Sequence, residues 1–139
     1  LVLAKQGVDL HTSSFTQALA TEFLEGGYMD RHLPRIIGLY KPKQEAMLEA
    51  MEEHFPSSFT WSKPDGGMFI WAEGPEGADS MEIYKEAIKN NVAFVPGRYF
   101  YTREGDGLET MRLNYTMADA SILRDAIARL GRAIRNVLG

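Results

Sequence analysis

Apolar residues recur at helical spacing through the first part of the 139-residue chain. Residues 1–10 predict a short helical piece that breaks around Gly7. Residues 14–25 predict a second helix, because one face is apolar and two glycines follow its last turn. That apolar face consists of Phe15, Leu19, Phe23 and Leu24.

A longer helix is predicted over residues 28–54. The apolar face of its second half consists of Met47, Leu48, Met51 and Phe55. Pro34 and Pro42 lie inside this stretch, and each removes a backbone donor. We therefore expect a kink or a break, with the residue before Pro42 as the favoured point.

The period then changes from helical to alternating. Residues 59–62 and 68–72 predict two strands joined by a Pro-Asp-Gly-Gly turn. Phe69 and Trp71 share one face of the second strand, and core packing is the default interpretation for both.

The pattern continues with a helix over residues 80–90, begun by a capping box of Asp79 and Glu82. Its expected core face consists of Met81, Tyr84, Ala87 and Ile88. Residues 92–95 predict a third strand, stopped by a Pro-Gly pair, and residues 111–115 predict a fourth.

A last helix starts near Thr116 and Asp119 and runs nearly to Gly139. Its expected buried residues are Ile122, Leu123, Ala126, Leu130, Ile134 and Leu138. The predicted order is α-α-β-β-α-β-β-α. This order is typical of an α+β fold, here a small, mostly antiparallel sheet with helices packed on one face.

Composition narrows the possible functions. The net charge of −4 argues against a nucleic-acid surface. The absence of cysteine excludes disulfides, thiol catalysis and Cys-type zinc sites. No apolar run is long enough to span a membrane, and no signal peptide is visible. We therefore expect a cytoplasmic protein with no membrane, nucleic-acid or metal partner.

Arg112 is the strongest candidate for function. Side chains alternate across a strand, so Arg112 shares its face with Thr110 and Asn114. A guanidinium on a rigid strand can bind a carboxylate through two parallel hydrogen bonds. The same spacing also fits the solvated face of a half-exposed antiparallel sheet. The pattern leaves both interpretations open.

Four segments carry a family resemblance: KQGVDLHTS at residues 5–13, KPDGGMFIW at 63–71, AFVPG at 93–97 and MRLNYT at 111–116. In this order they resemble the C-terminal part of the class I/II, fold-type I aminotransferases, which use pyridoxal phosphate (PLP). The 2-aminoadipate and kynurenine aminotransferase branch is the most similar. The resemblance implies that residues 1–25 are the large-domain tail with the interdomain helix, and that residues 26–139 are the small domain.

The resemblance also implies residue roles. Arg112 would bind the α-carboxylate of the substrate, and Asn114 and Arg98 are further substrate-binding candidates. A solvated loop is the alternative for Arg98. Thr12 and Ser13 would lie near the cofactor of a partner subunit, where they contact its phosphate or only cap a helix. The implied assembly is a homodimer that acts on amino acids and 2-oxo acids.

PLP chemistry requires a lysine that forms a Schiff base, and the resemblance implies that this lysine lies upstream of Leu1. The chain lacks an initiator Met and opens in what looks like mid-helix, so we expect a fragment of a longer protein. None of its lysines lies in the family's lysine motif; they are Lys5, Lys41, Lys43, Lys63, Lys85 and Lys89. We expect the full-length parent to bind PLP, and this chain alone to hold no catalytic residue, bind no PLP covalently and be inactive.

Two other classes of function stay open. An aminotransferase-like sensor domain of a PLP-dependent transcription regulator would resemble this chain in the same segments. A small module that binds amino acids would also share the α+β pattern. The substrate stays undetermined among aminoadipate, kynurenine, aromatic and branched-chain amino acids, and the parent could instead be a carbon–sulfur lyase.

Overall fold

A computed structural model describes every residue from Leu1 to Gly139. The helices are α1 Val2–Asp9, α2 Ser14–Glu25, α3 Tyr28–His54, α4 Ser80–Lys89 and α5 Ala120–Leu138. The strands are β1 Thr60–Trp61, β2 Phe69–Glu73, β3 Val95–Pro96 and β4 Thr110–Asn114, with a 3₁₀ helix at Gly97–Phe100. The predicted α+β class and the succession of elements are confirmed. None of the helices has the length and apolar character that a membrane crossing requires.

The chain divides into two compact units, Leu1–Gly38 and Leu39–Gly139. In the first unit, α2 has the predicted bounds, and its apolar face is exposed. Phe15 and Leu19 are 74% and 55% exposed. The predicted break at Gly7 is wrong, because α1 continues to Asp9 and the chain turns at Leu10, which has a φ of 56°.

The long helix α3 shows no break at either proline. A break before Pro42 is therefore wrong, whereas a kink there, the other predicted outcome, stays a prediction because Pro42 still lacks a donor. The following turns bury Met47 and Met51 in the core of the second unit. We attribute the continuity of α3 to this packing, since tertiary contacts supply most of a helix's stability.

The sheet has the order β1-β2-β4-β3, and every pair is antiparallel. Alternate residues of the two inner strands enter the core, where Ile70 and Met111 are fully buried. They pack with side chains from α3, α4 and α5, including Met51, Ile83 and Leu130. The prediction that the helices pack on one face of the sheet is thus confirmed. The other face carries the alternate residues of β2 and β4.

The buried faces of two helices differ from those predicted. Ile83 and Ala87 are buried on α4, whereas Ile88 is 46% exposed. On α5, Ile122 and Leu138 are exposed, at 55% and 37%, and Ile127, Gly131 and Ala133 are buried instead. The helical period alone fixes the direction of the buried face around the helix axis only to within about one residue, or 100°. The contacts with neighbouring elements decide that rotation.

Two local predictions need revision. At α4 the Asp79 carboxylate accepts from the Met81 amide at 2.8 Å, which confirms the cap, but Glu82 accepts from Lys85 instead of completing the box. The third strand is not residues 92–95 but Val95–Pro96. Proline is tolerated there because β3 is an edge strand, where no neighbour needs its missing N–H.

Candidate functional site

Arg112 lies at the centre of β4 with a strand on each side. Its direct partners are Trp71 on β2 and Val95 on β3. The preceding Met111 and the following Leu113 are anchored in the core at 0% and 4% exposure. The backbone of Arg112 is therefore held rigidly, and its half-buried side chain lies on the sheet face opposite the helices.

The guanidinium of Arg112 packs over aromatic rings. Its Cζ lies 4.1 Å from the ring centroid of Phe69 and 4.8 Å from that of Phe100. No carboxylate oxygen lies within 4.0 Å of its nitrogens, and no side-chain hydrogen bond occupies its donors. A half-buried cation with free donors is suited to bind an external anion.

Further aromatic rings lie next to those that contact the guanidinium. The ring of Trp71 contacts Phe100 edge-on, with centroids 5.5 Å apart and planes at 78°. The ring of Tyr101 lies 6.4 Å from Trp71. The default interpretation of Phe69 and Trp71 as core residues is wrong, since both are half-buried on the open face. The register places them there, because it pairs Trp71 with Arg112 and Phe69 with Asn114.

Asn114 and Arg98, the two other predicted substrate-binding residues, differ in their contacts. The Asn114 Oδ1 accepts from the Thr116 amide at 2.8 Å and from the Thr116 hydroxyl at 2.9 Å. This turn fixes the side chain and leaves its Nδ2 donors free. Arg98 lies on the 3₁₀ helix, is half-buried and forms no ion pair or side-chain hydrogen bond. Substrate binding by either residue stays a prediction.

Thr12 and Ser13 are exposed in the turn between α1 and α2. Ser13 occupies the N-cap position of α2, but its hydroxyl makes no capping hydrogen bond. Its carbonyl oxygen accepts from the Gln17 amide at 3.1 Å. The expected side-chain cap is therefore not formed by Ser13, and contact with a cofactor phosphate stays a prediction.

The six lysines of the chain all have acidic neighbours. Each forms an ion pair with a carboxylate, in the pairs Lys5–Asp9, Lys41–Glu45, Lys43–Asp119, Lys63–Glu52, Lys85–Glu82 and Lys89–Glu86. The hydrogen bond to Glu82 raises the pKa of Lys85. No group of three metal-ligating side chains is present.

Comparison with known proteins decides the family. Residues 3–130 match the model of the aminotransferase class I and II family. The chain belongs to this family. It is 46% identical, over 97% of its length, to aromatic-amino-acid aminotransferase 1 of Thermococcus litoralis, of which it covers 32%. The predicted resemblance is confirmed.

Solved aminotransferase structures share the fold. A Pyrococcus horikoshii kynurenine aminotransferase in complex with PMP is similar with a TM-score of 0.85 and 45% identity, over 99% of this chain and 34% of that one. The alpha-aminoadipate aminotransferase LysN of Thermus thermophilus, complexed with N-(5'-phosphopyridoxyl)-L-leucine, has a TM-score of 0.77 and 40% identity, over 98% and 34%. The chain thus spans about a third of the length of these relatives.

The sequence predicts Arg112, which lies at the centre of this aromatic face of the sheet, and misses part of its surroundings. It gives no role to Phe100 and places Phe69 in the core. The i, i+2 spacing of Phe69 and Trp71 is a usable signal, because it marks one face of β2. The register that brings this face beside Arg112 is a long-range property that spacing does not give.

Proposed function

We propose that this chain supplies the carboxylate anchor of a PLP-dependent aminotransferase, which moves an amino group between an L-amino acid and a 2-oxo acid. Family membership supports the reaction class. The observation that carries the proposal is the Arg112 guanidinium, which is rigidly mounted, half-buried and without an internal acidic partner.

The chemistry of the anchor follows from the geometry of the guanidinium. Two parallel N–H groups of Arg112 would bind the two oxygens of a substrate carboxylate, and both substrates carry that group. Such a two-point contact fixes the orientation of the neighbouring Cα–H bond, which must be aligned for proton transfer. The free Nδ2 donors of Asn114, two residues further along the same face, would bind the same carboxylate or the substrate side chain.

The proposal also covers the cofactor, the reactive lysine and the partner subunit. PLP would act as the electron sink of the reaction, and none of the lysines of this chain lies in the lysine motif of the family. We therefore assign the reactive lysine to the remainder of a longer enzyme, with residues 1–25 as the end of its large domain and interdomain helix and residues 26–139 as its small domain. In a homodimer, Thr12 and Ser13 would approach the cofactor phosphate of the partner subunit.

A chimeric enzyme tests the proposal. This chain would replace the matching third of the Thermococcus litoralis aminotransferase, to which it is 46% identical. We expect the chimera to transaminate, and Arg112→Lys to lower kcat/KM by about a hundredfold, since lysine loses the planar two-point contact. Arg103→Lys, on an exposed loop, is the matched control and should change little. A folded chimera that is inactive, or that is indifferent to Arg112→Lys, would contradict the proposal.

A further inference from the structure

We propose that Phe69 and Phe100 are positioning residues for Arg112. The two rings, together called the aromatic clamp, hold the guanidinium by its flat face and set the direction in which its N–H edges are presented. The role toward a substrate carboxylate rests on the proposed function, whereas the stacking itself does not.

The Arg112 side chain runs diagonally across the open face of the sheet. Its direct partner across the β2–β4 pair is Trp71, and Phe69 is the partner of Asn114. The guanidinium nevertheless lies over the diagonal neighbour Phe69, at 4.1 Å from its centroid. Diagonal positions are within reach of long and aromatic side chains. The negative face of the ring attracts the cation, which explains the diagonal direction.

Phe100 is held in place by its neighbours. Its ring is 47% exposed and would be free to rotate without a neighbour. The edge contact with Trp71 at 5.5 Å limits that freedom. The 3₁₀ helix that carries Phe100 begins at Gly97, where an added Cβ would lie 1.8 Å from the Thr110 Oγ1. Gly97 therefore allows the backbone to approach β4 closely, and this approach places Phe100 beside Arg112.

The aromatic clamp and a bound anion use different parts of the guanidinium. Stacking uses its face, whereas its five N–H donors point outward in the plane. The clamp therefore orders the side chain without occupying a donor. An unclamped arginine must lose many rotamers when it binds an anion, so ordering it beforehand should strengthen binding. Since the carboxylate stays bound throughout the reaction, the effect should fall on KM more than on kcat.

Steady-state kinetics of the chimeric enzyme test whether the two rings contribute to substrate binding. We expect Phe69→Leu and Phe100→Leu each to raise KM for the amino acid and for the 2-oxo acid by about three- to tenfold, the range of a cation–π contact. Tyrosine restores the ring face, so Phe69→Tyr and Phe100→Tyr should stay within about twofold of the unsubstituted chimera. Phe94→Leu and Tyr99→Leu are the matched controls, because Phe94 packs on Tyr84 and Tyr99 contacts Met81.

An NMR measurement on the full chain tests the stacking independently of activity. The Nε–Hε signal of Arg112, assigned by its loss in Arg112→Lys, should carry ring-current shifts that each leucine variant changes and that Tyr99→Leu leaves unaltered. Unchanged KM in both leucine variants, or no recovery with tyrosine, overturns the positioning role even where Arg112→Lys proves the anchor. If Arg112→Lys leaves kcat/KM of the chimera unchanged, Arg112 is not the carboxylate anchor. The NMR shifts alone would then decide whether the rings stack on the guanidinium.

Discussion

The Tyr115 hydroxyl donates a 2.6 Å hydrogen bond to the main-chain oxygen of Gly67, which ties the end of β4 to the turn before β2. The Tyr115 amide also donates to the oxygen of the next residue, Met68, at 3.3 Å. Gly67 has a φ of 95°, a left-handed conformation that favours glycine. This tie fixes the turn that leads directly to Phe69, two residues later, relative to the strand of Arg112.

Replacing Tyr115 with Phe should destabilise the protein by about 1 kcal/mol, the usual net contribution of one hydrogen bond. The ring stays in place and keeps its apolar contacts, so a larger cavity cost is not expected. Urea unfolding at pH 7, analysed with a common m-value, measures the difference. If Tyr115→Phe is as stable as the original chain, water donates to the Gly67 oxygen in place of the lost hydroxyl at no cost in stability.

The same variant should reveal an alkaline pH dependence. Burial raises the pKa of the Tyr115 phenol above its ordinary value of 10.0. Above pH 10 the unfolded phenol loses its proton while the folded one retains it, so the stability contribution is complete below that pH and declines as the pH rises. The stability difference between the original chain and Tyr115→Phe should therefore narrow above pH 10. A difference that stays constant from pH 7 to pH 11 would contradict the raised pKa.

Gly97→Ala should destabilise the chain by about 1–3 kcal/mol, the usual cost of overpacking. The added Cβ would lie 1.8 Å from the Thr110 Oγ1 and 2.9 Å from its carbonyl carbon. Thr110 is buried on β4 and cannot move aside without shifting that strand. Gly66→Ala, which meets no atom within 4 Å, is the matched control. Thermal unfolding of the two variants should separate them clearly.

Gly131→Ala and Gly38→Ala should change stability in opposite directions. Alanine normally favours a helix over glycine by about 1 kcal/mol, and Gly38 on α3 has open space around it. At Gly131 on α5, however, a Cβ would lie 2.3 Å from the carbonyl oxygen of His54. We expect a lower Tm for Gly131→Ala and a higher one for Gly38→Ala. Equal Tm changes would show that α5 can move away from His54.

The full chain should form no covalent adduct with PLP. All six lysines form ion pairs with carboxylates, and none lies in the lysine motif of the family. Borohydride reduction after incubation with PLP, followed by peptide mass spectrometry, measures this at about pH 7, where the ion pairs are intact. A stoichiometric adduct on one lysine would contradict the assignment of the reactive amine to another part of the enzyme. Sparse labelling spread over several surface lysines would not.

Several features are predictable because they depend on neighbours in the chain. The bounds of α2 follow from its apolar spacing and the glycines after it, and the Asp79 cap follows from its side chain type. The alternation along β4 correctly separates Arg112 from Met111 and Leu113. Pro42 shows the limit of this reasoning, since a local cost predicts a break that packing elsewhere prevents.

The sequence by itself determined which way Arg112 faces, because an arginine flanked by core residues on a strand must face away from that core. Only the tertiary structure decided what surrounds it. Phe69, Trp71 and Phe100 come from two other segments, and they meet Arg112 through strand register and through the close approach of Gly97 to Thr110. Register and close approach arise between residues distant in the chain, so no local spacing encodes them.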